Sequence, residues 1–386
     1  MESWSIPTPC GRSVYCGLSM AHLDRLDLAD ASSWAERALG IGERLGVPSV
    51  IANACPPLGT ILALTDVVRG KEVLERGWET SSVDGLGFQA DLHRACGARI
   101  MGVALKDPEV GLHWINRGPD YSTTYSLFDI PAHLVAIHAL KGEFDQATQT
   151  LKELQGRIRA IGQPTFGLWP DELAMLRLRK GDWDQAKAKL SQALDWAVGS
   201  ENRWVEASTT QKLGEMYLAI GQEAQAERFL IRSLGLRRDS GSALGELALL
   251  PYLCEVYRRT ERLEEADGVL ARAHDIADNA TESGALRGDL WLAEGLVSTS
   301  LGHWDAAEAT LQNAVKMYQD YSLPWDEAKV YYEWAVAIKR GGDGGPRTER
   351  ATELLDMALA LWESMGAIHY AERCQQQLGQ LRSRPL

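Results

Sequence analysis

The 386-residue chain is short of cationic side chains: 40 Lys and Arg stand against 53 Asp and Glu, a formal net charge of -13. Nucleic-acid binding depends on neutralising phosphates with a positive footprint, so this balance argues against a nucleic-acid partner. It argues equally against an anionic membrane surface. No apolar run approaches the ~20 residues of a bilayer span. The start, MESWSIPTPCGRSVYCG, lacks the basic and apolar regions of a signal peptide. The six cysteines, Cys10, Cys16, Cys55, Cys96, Cys254 and Cys374, are scattered and form no CxxC pair. Neither a zinc site nor a disulfide framework is expected from that spacing, and the thiols read as reduced and mostly buried in a cytoplasmic protein.

Signatures of catalysis are missing as well. The chain has no nucleophile elbow, no HExxH, no dinucleotide glycine fingerprint and no Walker motif. Its eight histidines are dispersed. His133 and His138 are five apart, about 140° round a helix axis, which does not make a metal pair. The adjacent acids Asp171-Glu172 and Glu264-Glu265 point to different helix sides and suit helix starts. The glycines of Gly341-Gly-Asp-Gly-Gly-Pro346 follow no strand and precede no Lys-Ser or Lys-Thr, so they make a loop rather than a phosphate cradle. Accordingly no catalytic residue, metal or cofactor is expected, and the chain is not expected to be an enzyme.

What the chain does have is a period. In Leu213–Leu234, LGEMYLAIGQEAQAERFLIRSL, two short helices meet at a turn on Gly221. Leu213, Gly214 and Tyr217 mark the first; Ala226, Leu230 and Ser233 mark the second. The alanine-to-leucine step recurs at Ala35/Leu39, Ala147/Leu151, Ala186/Leu190, Ala226/Leu230, Ala266/Leu270, Ala307/Leu311 and Ala351/Leu355, with weaker copies at Gly70/Leu74 and Gly111/Ile115. From Ala35 the intervals are 35, 41, 36, 39, 40, 40, 41 and 44 residues. The turn repeats too: Gly142-Glu-Phe-Asp, Gly181-Asp-Trp-Asp and Gly302-His-Trp-Asp each precede a second helix. Glycine suits the left-handed residue that ends a helix, and the Asp suits a cap. Phe144, Trp183 and Trp304 read as plugs over their hairpins. First helices are expected over 93–104, 132–140, 172–179, 205–219, 247–259, 289–300 and 327–339, from apolar residues at three- and four-residue spacing.

This unit resembles the tetratricopeptide repeat, whose ordinary period is about 34 residues, the excess here falling between units. The resemblance implies an all-α, right-handed α-solenoid of about nine helix hairpins. Residues 1–18 are expected to be an irregular lead-in, 19–386 a single array, and 365–386 a capping helix. SSWAERALGIGERLGVPSVIANA and ALALWESMGAIHYAERCQQQL are further similar to the helical arrays of LuxR/MalT-like regulators and cyclase-linked signalling ATPases, in which such arrays sense an inducer or hold a partner.

In that register the first helices line the concave face. The inward positions are Asp171, Met175, Gln211, Glu215, Leu218, Glu255, Arg258, Arg259, Leu292 and Leu296, a mixed set suited to a peptide or small molecule. The plainer alternative makes most of them solvated or interhelix residues. A second group, Tyr121, Tyr125, Phe128, Phe166, Trp169, Trp204, Trp291, Trp325 and Tyr332, clusters at the starts of first helices, along one edge. These aromatics either line a pocket or plug their own loops. The expected function is a non-enzymatic scaffold in bacterial signalling that captures a peptide segment, protein partner or small effector on its concave face. The alternative is a small-molecule sensor or enzyme whose pocket uses the aromatic edge.

Overall fold

The structure, a computed structural model, describes residues 9–119, 122–160, 170–340 and 345–382, with side chains described over 14–119, 122–160, 174–340 and 347–382. Every regular element among the described residues is a helix. Helices pair in chain order: α1 (Pro9–Asp24) with α2 (Leu28–Leu45), α3 (Pro48–Ala63) with α4 (Val67–Val83), and α5 (Gly87–Gly97) with α6 (Pro108–Ile115). Next come α7 (Ile130–Leu140) with α8 (Phe144–Ala160), α9 (Pro170–Lys180) with α10 (Trp183–Gly199), and α11 (Arg203–Ala219) with α12 (Glu223–Ser240). Then follow α13 (Ala243–Arg259) with α14 (Leu263–Asn279), α15 (Leu286–Ser300) with α16 (Trp304–Asp320), and α17 (Pro324–Arg340) with α18 (Gly345–Met365). A last helix, α19 (Ile368–Arg382), packs on α18. Two π-helical stretches, Ala98–Ala104 and Tyr125–Asp129, extend α5 and lead into α7. The fold is an all-α helical-repeat solenoid.

The recurring small and large residues explain the hairpins. A Cβ on Gly214 would lie 2.6 Å from Leu230 Cγ, so only glycine lets α12 approach α11 this closely. Gly295 and Leu311 repeat the arrangement in α15 and α16, and Gly59 and Leu74 in α3 and α4. Leu213, Ala226, Leu230 and Ser233 are buried, and Tyr217 stacks on Phe229 with ring centroids 5.5 Å apart. Gly221 ends α11 at φ +73°, the left-handed conformation that glycine adopts without a Cβ clash.

Two features differ from the expectations. A helix, α1, begins at Pro9 where an irregular lead-in was expected; residues 1–8 lie outside the described residues. Proline is tolerated at a helix start, where its missing N–H has no partner to lose. The Ser19 hydroxyl donates to Ala31 O at 2.7 Å, and Leu23, Leu26, Leu28 and Ala31 form a shared cluster that holds α1 to α2. The acids Asp145, Asp184 and Asp305 lie in the first turn of α8, α10 and α16 and not at the cap, so they favour the helix through its positive end. The glycine segment expected as a loop at 341–346 overlaps 341–344, which lie outside the described residues; α18 is helical from Gly345.

The largest departure concerns long-range contact. Leu244 N donates to Leu64 O at 3.0 Å, and Ala285 N donates to Leu105 O at 2.9 Å. Both bonds join residues 180 apart, four to five repeats. Gly142 packs on Pro324 and Met365, and Gly181 on His369. The turn edge of one set of hairpins therefore docks on the connector edge of a later set. Successive turns of the superhelix are in contact, and the channel between them is walled.

Candidate functional site

The walls of this channel enclose a cavity of about 130 Å³, lined by the first helices α9, α11, α13, α15 and α17 together with α18, α19 and Lys106. A second cavity of about 160 Å³ shares Lys106, Met175, Lys212, Glu215, Tyr252 and Asp289 with it.

One wall is an ion network that ties distant repeats together. Lys106 Nζ lies 2.7 Å from Asp289 and 3.1 Å from Asp326. Arg179 Nη2 donates to Asp326 at 2.6 Å, and Tyr318 OH donates to Asp289 at 2.8 Å. Asp289 and Asp326 are buried. Burial alone would raise the Asp326 pKa, but Arg179 and Lys106 outweigh it and hold the carboxyl well below its usual range. Burial alone would lower Lys106, and its two carboxylates instead hold it up. A second ionic group centres on Glu255, which accepts from Arg258 Nε and Nη2, both at 2.7 Å, and from Arg259 Nε at 2.5 Å. Burial pushes Glu255 up, and the two guanidiniums override it and pull it down to about 2. Arg259 also reaches Leu218 O and Glu333.

Aromatic rings line the same cavity. Tyr370 packs on Trp325, Trp362 and Trp183 at centroid distances of 5.3, 5.2 and 5.6 Å, and Trp362 meets Tyr332 at 5.3 Å. Arg179 lies over the Trp325 ring at 4.6 Å, while Trp325 Nε1 donates to Arg179 O at 3.3 Å. Tyr370 OH donates to Leu178 O, so α19 closes the cavity against α9, 192 residues earlier.

The expected site residues divide. Met175, Glu215, Glu255 and Arg259 line the first cavity, with Leu218, Leu292 and Leu296. Met175, Gln211 and Glu215 line the second. Gln211 is buried and donates to Glu215 and Ala248 O, while accepting from Arg237. Arg258 lines neither cavity: its fork is spent on Glu255 and its third contact is Ser300. Asp171 belongs to α9, but its side chain lies outside the described residues, as do Tyr121, Phe166 and Trp169.

The aromatic edge divides: among its described residues Trp325 and Tyr332 line the first cavity and Trp204 the second, while Tyr125, Phe128 and Trp291 are consumed in packing. Tyr125 meets Phe88 edge-on at 5.1 Å, Phe128 covers Ala132, Leu154 and Ile158, and Trp291 packs on the core of the last repeats. None of the three lines either cavity. Trp204 does line the second cavity, with Arg99 over its ring at 5.2 Å. Trp183, read as a hairpin plug, instead faces His369 and Tyr370 of the next turn and lines the first cavity. Nothing in the sequence singles out Lys106, Arg179, Tyr252, Asp289, Lys329, Trp362, Tyr370 or Arg373, which also line the first cavity. They come from repeats far apart in the chain, and no local spacing relates them. Among the described residues no three His, Cys, Asp or Glu side chains come together as metal ligands, and no helix is long and apolar enough to cross a membrane.

These features define an all-α helical-repeat protein with a walled cavity along its first helices. The tetratricopeptide repeat family model matches residues 168–239, from the start of the α9 hairpin to the end of α12. The whole chain is similar in fold to the Rap protein solved in complex with Competence and Sporulation Factor, with a TM-score of 0.58 at 10% identity over 96% of this chain and 97% of that one. It is also similar to the apo form of RapI, with a TM-score of 0.48 at 12% identity over 92% and 98% of the two chains. A third similar structure is a signal transduction ATPase with a tetratricopeptide repeat sensor from Pyrococcus horikoshii, with a TM-score of 0.46 at 12% identity, covering 96% of this chain and 56% of that one. No curated protein matches the chain.

Proposed function

We propose that the chain is a non-enzymatic binding scaffold of bacterial cytoplasmic signalling that holds a small effector or short peptide segment in its axial cavity. The observation that carries this reading is the first cavity itself, where first helices from five hairpins and the closing helices α18 and α19 converge on one space. Convergence of many repeats makes occupancy sensitive to the pitch of the superhelix, which is what a sensor requires. The similar Rap fold was solved with a bound factor, which agrees with such a role. The array then works alone or as the sensor part of a LuxR/MalT-like regulator. A catalytic reading is less well supported, because the buried acids Glu255 and Asp326 are locked in ion pairs far from the pKa a proton carrier needs at neutral pH. Native mass spectrometry of protein purified from its own cells tests the proposal. A retained small molecule or peptide is expected, and Ala219→Phe, which fills the cavity, should abolish it. Retention unchanged in that variant, or capture of a large protein with no cavity ligand, would overturn the reading.

A further inference from the structure

The charges lining the first cavity do not balance in pairs. Its cations are Lys106, Arg179, Lys212, Arg259, Lys329 and Arg373, and its carboxylates are Glu215, Glu255, Asp289, Asp326 and Glu333. Lys106 and Arg179 pair with Asp289 and Asp326. Lys212 pairs with Glu215, and Arg259 with Glu255 and Glu333. Every carboxylate is thereby taken. Lys329 and Arg373 have no carboxylate within 4.0 Å among the described residues, in a chain with 13 negative charges in excess. Lys329 Nζ rests over the Tyr252 ring at 4.8 Å. Arg373 spends one nitrogen on Ala219 O at 3.1 Å and holds its guanidinium 5.7 Å from the centre of Tyr332.

The two cations are neighbours through Tyr332. Lys329 and Tyr332 are three apart on α17, hence on one face, and Arg373 lies over the same ring. Trp362 borders Tyr332 and lines the cavity; it is buried, and its Nε1–H has no acceptor among the described residues. A buried donor without an acceptor is costly. Around Tyr332, then, Trp362 Nε1–H lacks an acceptor and the half-buried Lys329 and Arg373 lack a carboxylate, among the described residues. The remaining wall there is flat and apolar: Tyr370, Trp183, Trp325, Leu292 and Leu296. A volume of about 130 Å³ is close to that of a designed apolar cavity that takes benzene.

We infer that this cavity binds a small organic anion, one aromatic or comparable apolar ring bearing a carboxylate, with the carboxylate between Lys329 and Arg373 and the ring among the aromatic side chains. The inference rests on the reading of the axial cavity as the ligand site and adds the chemical class. The flat aromatic wall beside the two cations suits one ring and one carboxylate; a longer chain would have to run on into the adjoining second cavity, and a peptide probe tests for that.

The test uses the full chain and Trp fluorescence or calorimetric titration. The probes are matched sets of acid, amide and amine on three bodies: 3-phenylpropionate, indole-3-acetate and 4-methylpentanoate with their neutral and cationic counterparts. At least one acid is expected to bind about tenfold or more tightly than its amide, the amine not at all, as a charge-assisted contact requires. Lys329→Met and Arg373→Met should each remove most of that preference and leave amide affinity unchanged. Where Lys329→Met fails to fold, Lys329→Gln serves. Equal binding of acid and amide, or acid affinity untouched by both variants, overturns the anion assignment and leaves the cavity reading standing. Tighter binding of Gly-Gly-Phe with a free C-terminus than of 3-phenylpropionate overturns the small-acid assignment. Silence from all probes also overturns it, while the retained-ligand measurement decides the cavity reading separately.

Discussion

Replacing Lys106 with Met is the sharpest test of how the superhelix is closed. Lys106 lies in the connector before α6 at φ +54°, a conformation that costs a non-glycine residue about 1–2 kcal/mol. Its Nζ reaches two buried carboxylates on helices 183 and 220 residues later. Methionine keeps the length and apolar stem, so the substitution removes the charge and little else. Asp326 keeps Arg179, but Asp289 keeps only the Tyr318 hydroxyl. Removing one partner of a buried ion pair costs about 3–5 kcal/mol, because the other charge is stranded. The loss should fall near the lower end, about 3 kcal/mol, since Arg179 remains. Urea denaturation followed by circular dichroism measures it, and small-angle scattering should show a more extended particle as successive turns separate. Asp289→Asn should cost much less in the Lys106→Met background than in the wild type, because it then removes a stranded charge. A loss below about 1 kcal/mol, or an equal cost of Asp289→Asn in both backgrounds, would refute the argument that this network clamps the turns.

Two further outcomes follow from single residues. Gly284 has φ +53°, and a Cβ there would collide with the Leu105 carbonyl of the neighbouring turn, whereas Gly221 at φ +73° has open space around it. Gly284→Ala should therefore lower the melting temperature well beyond Gly221→Ala, which reports the left-handed cost alone; equal shifts would deny the inter-turn contact. His93 is buried, and burial holds its pKa down to about 4 from 6.5. Its folded value lies below its unfolded one, so its contribution is full above about 6.5 and is lost as pH falls toward 4, a change of roughly 3 kcal/mol. Glu255, pulled from 4.5 to about 2, extends the loss to lower pH. The urea midpoint should thus drop from pH 6.5 downward, and His93→Gln should flatten the slope between 6.5 and 4; an unchanged slope would refute the assignment.

Much of the repeat unit is legible in the chain. The Gly214, Ala226 and Leu230 pattern specifies a hairpin because close helix approach depends on residue size within some fifteen positions. Helix ends at Ala219, Arg259 and Ser300 match expectation, since a turn glycine or a break in period follows each. Helices start earlier than the apolar period indicates, as at Ala243 and Leu286, because their caps Ser242 and Ala285 make no side-chain hydrogen bond that a cap signal would reflect. Inward positions such as Glu215, Glu255 and Arg259 follow from helical register for the same local reason. What no local pattern contains is the pitch. It sums small rotations over four to five repeats, and only then does Lys106 arrive at Asp289 or Tyr370 at Leu178. The sequence by itself determined the hairpins and which face of each first helix turns inward, through residue size and helical period. Tertiary structure alone decided that the inner face is walled rather than open, and that Lys329 and Arg373 are left facing a cavity without a carboxylate partner, because pairing between turns depends on the accumulated geometry of the whole array.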